Sequence, residues 1–465
     1  MTAFYFTLNG NFDPSNQELG FSEIIDPAVR TFDFGPASSI PGYTQYGNEI
    51  VYLIDGPEFE ESLRSFGMTT QDGGIFGDSS DFGYVTRVTG GDFGDVFRTG
   101  DGDDVLKGGG GNDTLEGGRG TNTFDGGAGT NTLSYEHFDT SAGSFGMIID
   151  LSTGQATDWS TGTAVVDTFS NISNVRGSVR KDGITGDDNG NVIEGGAGDD
   201  ELVGGGGVDT LSYAHSGGSV NIDLVREFGI GGDAEDDRFT SFENVIGSTF
   251  GDTLYGDGGA NTLNGNGGSD ELYGRDGNDR LVISDSPMKV EGGEGTDLLF
   301  ILKDSTVELN VESFSVDASI EKVYVRDGAY LSMSGVAVGT KLYSQSQAGG
   351  NATIIGTNGA DRIQAGKGDD GITGGKGGDA LFGGAGADTF VFAAGDGRDV
   401  IRKFDAINDK IDLSSLGGDT GGLDVRSFHG GDSTLITLTH ESGPTDKIIL
   451  IDVAFGTVSE GSFIL

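Results

Sequence analysis

Cysteine is absent from the 465 residues, so neither disulfides nor thiolate metal centres can hold this chain together, and any metal must be met by oxygen. Proline is scarce, at 7 residues against 87 glycines, and glycine without regular proline excludes a collagen-like helix. Positive charge is scarce too. Lys and Arg number 27 against 74 Asp and Glu, a formal net charge of −47, which repels phosphate backbones and anionic lipid faces and favours cations as small partners. Long apolar runs are missing. The stretch from Ile448 to Phe455 is broken by Asp452, far short of the roughly 20 residues that span a bilayer. The first basic residue is Arg30 and the apolar patch Ala3 to Phe6 is short, so a cleavable secretory signal is not expected.

An apolar fraction of 34% beside so large a charge borders on the disordered regime unless something neutralises the chain. What is present is a repeat. A nine-residue unit places Gly early, Asp sixth and an apolar residue eighth, as in Gly108 to Glu116, GGGGNDTLE. It recurs in four blocks, 90-134, 177-212, 247-300 and 356-391, giving 19 units in frame. The eighth place is apolar in all 19, from Phe97 to Phe390. Independent placement at the chain's own apolar rate would do that about once in a billion trials.

The sixth place is Asp in 14 units: Asp95, Asp104, Asp113, Asp182, Asp200, Asp209, Asp252, Asp270, Asp279, Asp297, Asp361, Asp370, Asp379 and Asp388. These are the candidate metal ligands. Asn122, Asn131, Asn191 and Asn261 keep an oxygen there, and Met288 does not. Glycine turns can present carbonyl oxygens inward where a Cβ would obstruct. Ca²⁺ takes six to eight oxygens at about 2.3 to 2.6 Å, more than one short turn supplies, so two turns must cooperate.

The G-G-x-G-x-D-x-U-x unit resembles the RTX (repeats-in-toxin), or hemolysin-type, calcium-binding family, and this motif is a general signature of calcium-binding β-helices. The resemblance, with the flanking sequence, extends over about two thirds of the chain. It implies an all-β parallel β-roll, a β-solenoid of 18 residues per coil, in which units i and i+2 stack and sandwich one Ca²⁺. At most 11 sites, or about ten, are then expected. One apolar side chain per nine residues buries too little surface to offset the ordering of so glycine-rich a backbone, so the repeats are expected to fold only when calcium is bound.

Segments also repeat between blocks: Asn131 to Tyr135 (NTLSY) returns as Asp209 to Tyr213 (DTLSY), and Asn174-Val-Arg-Gly-Ser178 as Asn244-Val-Ile-Gly-Ser248. The solenoid is therefore expected to carry β-strand inserts between its blocks, at 135-176 and 301-355 among others. Three regions follow: 1-89, aromatic-rich, a small β-rich domain or cap; 90-391, the repeats; and 392-465, which resembles the C-terminal flank of RTX modules in serralysin-type proteases and mannuronan epimerases. That flank implies a cap, with Asp405 and Asp409 as weaker ligands. The ending Glu460-Gly-Ser-Phe-Ile-Leu465 is similar to a type I secretion signal, which implies an exported, extracellular or cell-surface protein of a Gram-negative bacterium.

Catalytic signatures are absent. His137, His215, His429 and His440 are far apart in sequence, so no H-E-x-x-H exists; nor do a G-x-S-x-G elbow or a phosphate-binding G-K-[ST]. The expected function is a non-enzymatic, calcium-folded surface protein: an adhesin, a matrix component or an S-layer-like unit. Its expected partners are calcium, further copies of itself in a filament or layer, and a cell-surface glycan; nucleic acid and a membrane span are not expected. The alternative is an extracellular RTX enzyme acting on polysaccharide, its site in 1-89 or the inserts.

Overall fold

A computed structural model describes residues 85–90, 93–99, 102–138, 145–158, 166–310, 313–314, 319–416, 422–440 and 445–465, with the short strands Glu49–Leu53 and Ile75–Phe76. The remainder of the aromatic-rich region 1–89, and Trp159, lie outside the described residues. Among those described there is no α-helix, only strands, turns and single 3-10 turns. By compactness the chain divides into residues 1–213 with 228–242, and residues 214–227 with 243–465.

In the first unit each nonapeptide contributes one short strand, of three residues except for the five of Lys181–Thr185, and units two apart pair in parallel. Val96–Arg98, Thr114–Glu116 and Thr132–Ser134 lie side by side with Phe97, Leu115 and Leu133 in register. On the other side Val105–Lys107 pairs with Thr123–Asp125, aligning Leu106 with Phe124. Alternation along a strand sends the middle residue inward and its neighbours outward, so each eighth place joins a column of buried side chains. All 19 are at most 1% exposed.

The insert at 135-176 continues the roll. Asn174–Arg176 pairs in parallel with Thr132–Ser134 and Val192–Glu194, so Val175 takes a place in the column. Val166–Ser170 pairs with Thr123–Asp125, matching Phe169 to Phe124. Phe145–Asp150 and Gln155–Asp158 form an antiparallel hairpin; Gln155–Asp158 also pairs antiparallel with Val166–Ser170, and Phe145–Asp150 pairs in parallel with Lys181–Thr185.

The second unit extends the plan. One column runs Val245, Leu263, Leu281, Leu299, Val323, Leu342, Ile363, Leu381 and Ile401. Residues 301–355 thus run as solenoid coils with longer turns, because Val323 and Leu342 hold the inward register that glycine units hold elsewhere. Past the last block, Asp446–Ile451 pairs in parallel with Arg398–Arg402, and Ser433–Leu438 and Leu423–Phe428 then add antiparallel. Antiparallel strands cover the edge that a parallel stack would leave open.

Candidate metal centres

Thirteen of the 14 sixth-place aspartates are 4% exposed or less, and Asp95 is 6%. In eight of them, Asp113, Asp200, Asp209, Asp270, Asp279, Asp297, Asp379 and Asp388, one carboxylate oxygen does structural work: it accepts the backbone N–H of the sixth-place residue one coil earlier. Asp113 Oδ1 accepts Asp95 N–H at 2.8 Å, Asp200 accepts Asp182 at 2.8 Å, Asp279 accepts Asn261 at 2.9 Å, and Asp379 accepts Asp361 at 2.8 Å. Each of these eight carboxylates thereby fixes the register of the preceding turn.

The other oxygen divides the set. Oδ2 of Asp113, Asp200, Asp279, Asp297 and Asp379 is buried with no hydrogen-bond donor among the described residues. It faces a glycine cradle: a methyl group built on Gly274 would overlap both Asp279 Oδ2 and the Gly292 carbonyl oxygen of the next coil, and one built on Gly108 would overlap Asp113 Oδ2 and lie 2.6 Å from the Gly126 oxygen. Two acceptors meet without a proton between them. Burying such groups unpaired costs a few kcal/mol each, and a hard cation that binds only oxygens removes the mismatch. Ca²⁺ fits this donor set.

Four other carboxylates are closed by protein donors. Asp182 Oδ2 accepts the Ser178 N–H at 2.6 Å and its hydroxyl at 2.9 Å. Asp252 takes the same two groups of Ser248 at 2.5 and 2.8 Å, and Asp361 those of Thr357 at 2.6 and 2.9 Å. These three open blocks two, three and four, where Ser or Thr replaces the second glycine. Asp370 Oδ2 is met by the Ser346 hydroxyl and the Gly366 N–H, both at 3.0 Å. At Asn131, Asn191 and Asn261 the amide nitrogen donates to the carbonyls of Asn171, Ser173 and Glu243, at 3.0, 2.9 and 2.8 Å. An amide there satisfies the cradle with its own N–H.

The column of carboxylates runs beyond the nonapeptides. Asn122 N–H donates to Asp167 Oδ1 at 2.6 Å, Asp200 N–H to Asp237 Oδ1 at 2.8 Å, Asp379 N–H to Asp399 Oδ1 at 2.9 Å, and Asp388 N–H to Asp409 Oδ1 at 3.0 Å. The pattern Asp-x-apolar without its glycines marks all four, as in Asp167-Thr-Phe169 and Asp399-Val-Ile401, and only Asp409 was flagged by sequence reasoning. Asp405 is exposed and shapes a turn, accepting the Ile407 N–H at 3.0 Å. At Asp167 and Asp237 the second oxygen receives a phenol: Tyr135 Oη donates to Asp167 Oδ2 at 2.9 Å and Tyr213 Oη to Asp237 Oδ2 at 2.8 Å, all four residues being buried.

Burial, with like charge from neighbouring rungs, raises these carboxyls: Asp270 and Asp379 to about 7, Asp399 to about 8, and Asp279 and Asp388 to about 6. Asp200 is also pushed up, by burial first and the charge of Asp237 next. A column of carboxylates spaced one coil apart resists full ionisation unless cations lie between them.

No group of three or more His, Asp or Glu side chains converges on a metal position among the described residues, so any ion is shared between one or two carboxylates and backbone carbonyls. The histidines stay apart: His137 Nδ1 lies 3.1 Å from Glu116, His440 Nε2 lies 2.7 Å from Asp446, and His429 packs on Phe428. No helix is long and apolar enough to cross a membrane among the described residues.

A family model described as "RTX calcium-binding nonapeptide repeat (4 copies)" matches residues 89–124, 98–133, 184–213, 246–281, 348–381, 355–390 and 372–401, about a third of the chain. No curated protein matches the sequence. Among solved structures, the solution structure of the AlgE6R2 subunit from the Azotobacter vinelandii mannuronan C5-epimerase is similar at 27% identity and a TM-score of 0.24, over 29% of this chain and 92% of that one. The extracellular lipase LipA from Serratia marcescens is similar at 16% identity and a TM-score of 0.18, over 82% of this chain and 40% of that one. The glycine cradles, the parallel coils and the matched nonapeptides together show that the chain carries calcium-binding nonapeptide repeats of the RTX, or hemolysin, type.

Proposed function

We propose that this chain is an exported structural protein whose β-roll is completed by calcium outside the cell. The observation that carries this reading is the set of five buried carboxylate oxygens, those of Asp113, Asp200, Asp279, Asp297 and Asp379, that face glycine cradles with no donor. When bound, calcium supplies the positive charge these opposed oxygens lack. Asp270 and Asp388, whose Oδ2 atoms also border the cradles at Gly265 and Gly383, join them, as do Asp95, Asp104 and Asp209 where a facing turn completes the oxygen set. Asp182, Asp252, Asp361 and Asp370 act as closed rungs. Occupancy then falls below the 11 sites of the simple stacking count.

The chain's own residues do the remaining work. Oδ1 of each of those eight carboxylates holds the previous coil in register, the glycines clear space for the ion, and the apolar columns set strand alignment. In a medium with little free calcium the carboxylates repel one another across adjacent rungs and the coils stay open; at millimolar calcium they close. This matches a protein that crosses an exporter unfolded and folds on arrival, for a surface, matrix or layer role built on self-association. A calcium titration followed by circular dichroism and sedimentation tests it: β structure and assembly should both rise with calcium. Full β structure in excess chelator would refute the folding role, and monomer at every calcium concentration would refute the assembly role.

A further inference from the structure

The second unit gathers positive charge on one outward sheet face, against the trend of a chain at −47. The parallel register of Arg280–Ile283, Asp297–Ile301, Ile320–Val325, Lys341–Ser344 and Arg362–Gln364 places Arg280, Leu298, Lys322, Lys341 and Arg362 in one row. Four of five adjacent strands thus carry a cation, over four strand spacings of about 4.8 Å, or about 19 Å. None of these four cations pairs with a carboxylate among the described residues.

Beside the row an open groove of about 620 Å³ is lined by Lys303, Arg326, Lys367, Gln345, Gln347 and Gln364, among others. Its one carboxylate, Asp327, accepts the Gln347 backbone N–H at 2.6 Å. Arg326 Nε is buried there with no acceptor among the described residues.

The ends of the row are held rigidly. Arg280 lies over the Phe300 ring at 3.7 Å from its centroid and Arg362 over Phe382 at 4.3 Å. Phe300, Tyr324 and Tyr343 stack in sequence at 4.9 and 5.5 Å, a rib parallel to the cations. A guanidinium packed on a ring gives up little freedom when it binds an anion. Phe300 and Tyr324 are covered by Arg280 and by the neighbouring rings, which argues against single-stranded nucleic acid, a ligand that depends on open aromatic faces. A polymer with one carboxylate on each sugar ring matches a cation on nearly every strand, while the glutamine amides and tyrosine hydroxyls suit sugar hydroxyls.

We propose that this face binds a linear acidic polysaccharide, its carboxylates on the row Arg280, Lys322, Lys341 and Arg362 and one end of the chain in the Arg326 groove. This goes beyond the calcium-folded structural role, since the site uses none of the cradle carboxylates. The test takes the full chain, folded in millimolar calcium, and titrates it with oligogalacturonate too short to gel. Neutral gluco-oligosaccharide and single-stranded oligodeoxynucleotide serve as comparison ligands.

The expected result is saturable binding of the oligouronate alone, weakened by added salt, and about tenfold weaker for Arg326→Gln with Lys341→Gln, at up to about fivefold per exposed charge pair. Circular dichroism at the same calcium shows whether that variant folds; the exposed single change Lys341→Glu is the fallback, with the same direction expected. Equal binding of the nucleotide or the neutral sugar overturns the proposal. So does unchanged binding by the folded variant, which would mean calcium bridging to the chain's own carboxylates. Loss of self-association in the variant without any oligouronate binding also overturns it, and assigns the face to a second copy. None of these outcomes alters the calcium titration of folding.

Discussion

Gly274→Ala separates the ion cradle from ordinary glycine effects. Gly274 is buried and lacks a left-handed φ, so alanine suits its backbone, yet a methyl there overlaps Asp279 Oδ2 and the Gly292 carbonyl. Gly258 is exposed, also lacks a left-handed φ, and a methyl there meets nothing within 4 Å. On backbone grounds alone both changes would stabilise by about 0.4 to 1 kcal/mol, through the unfolded chain. The overlap at Gly274 adds about 1 to 3 kcal/mol of overpacking. Loss of one ion adds about 2.7 kcal/mol at free calcium a hundredfold above Kd, so Gly274→Ala should destabilise by about 4 kcal/mol and Gly258→Ala by nothing. The ion part has a signature: it grows by about 1.4 kcal/mol for each further tenfold rise in calcium. Denaturant unfolding at several fixed calcium concentrations reads both parts, and calorimetric titration reads the stoichiometry. If the two variants unfold alike, or Gly274→Ala keeps the full complement of calcium, the cradle does not hold an ion.

Two more predictions follow from the same carboxylate column. The folded-state values of about 7 to 8 for Asp270, Asp379 and Asp399 lie above the ~3.9 of a free aspartate. In chelator, stability from these groups is therefore fully present below about pH 4 and is lost as pH rises through 7 to 8; circular dichroism should show β structure gained on acidification. With calcium present the sense reverses, because protons compete for the ligand oxygens, and a chelated sample that folds no better at pH 4 than at pH 8 would contradict the assignment. Tyr213→Phe strands a buried Asp237 oxygen and should cost about 1 to 3 kcal/mol, a loss that stays constant as calcium rises, checked by the same unfolding series.

Much of this was legible from residue spacing, because the roll repeats its chemistry at a fixed interval. Phe97, Leu115 and Leu133 are buried in one column for the reason that makes them visible in sequence: each is an eighth place, one coil from the next. The legibility ends where coil length varies. Asp167 follows Asn122 in the column after 45 residues and Asp237 follows Asp200 after 37, and without glycines neither announces itself. Lys322, Lys341 and Arg362 align only through pairings whose spacing depends on turns of irregular length. The closure of Asp182 by Ser178 depends on a hydroxyl that composition alone does not separate from any other serine.

That closure has a bearing on how the roll assembles. In a stack where each coil touches only its neighbours, growth is limited by making the first ordered rung. Blocks two, three and four each begin on a rung whose hydroxyl and amide donors are already in place at Ser178, Ser248 and Thr357. Such rungs serve as seeds at vanishing ion activity. On the calcium-folding role proposed above, the ion then has only to lengthen three pre-templated starts, so added calcium would act on several fronts of one molecule at once.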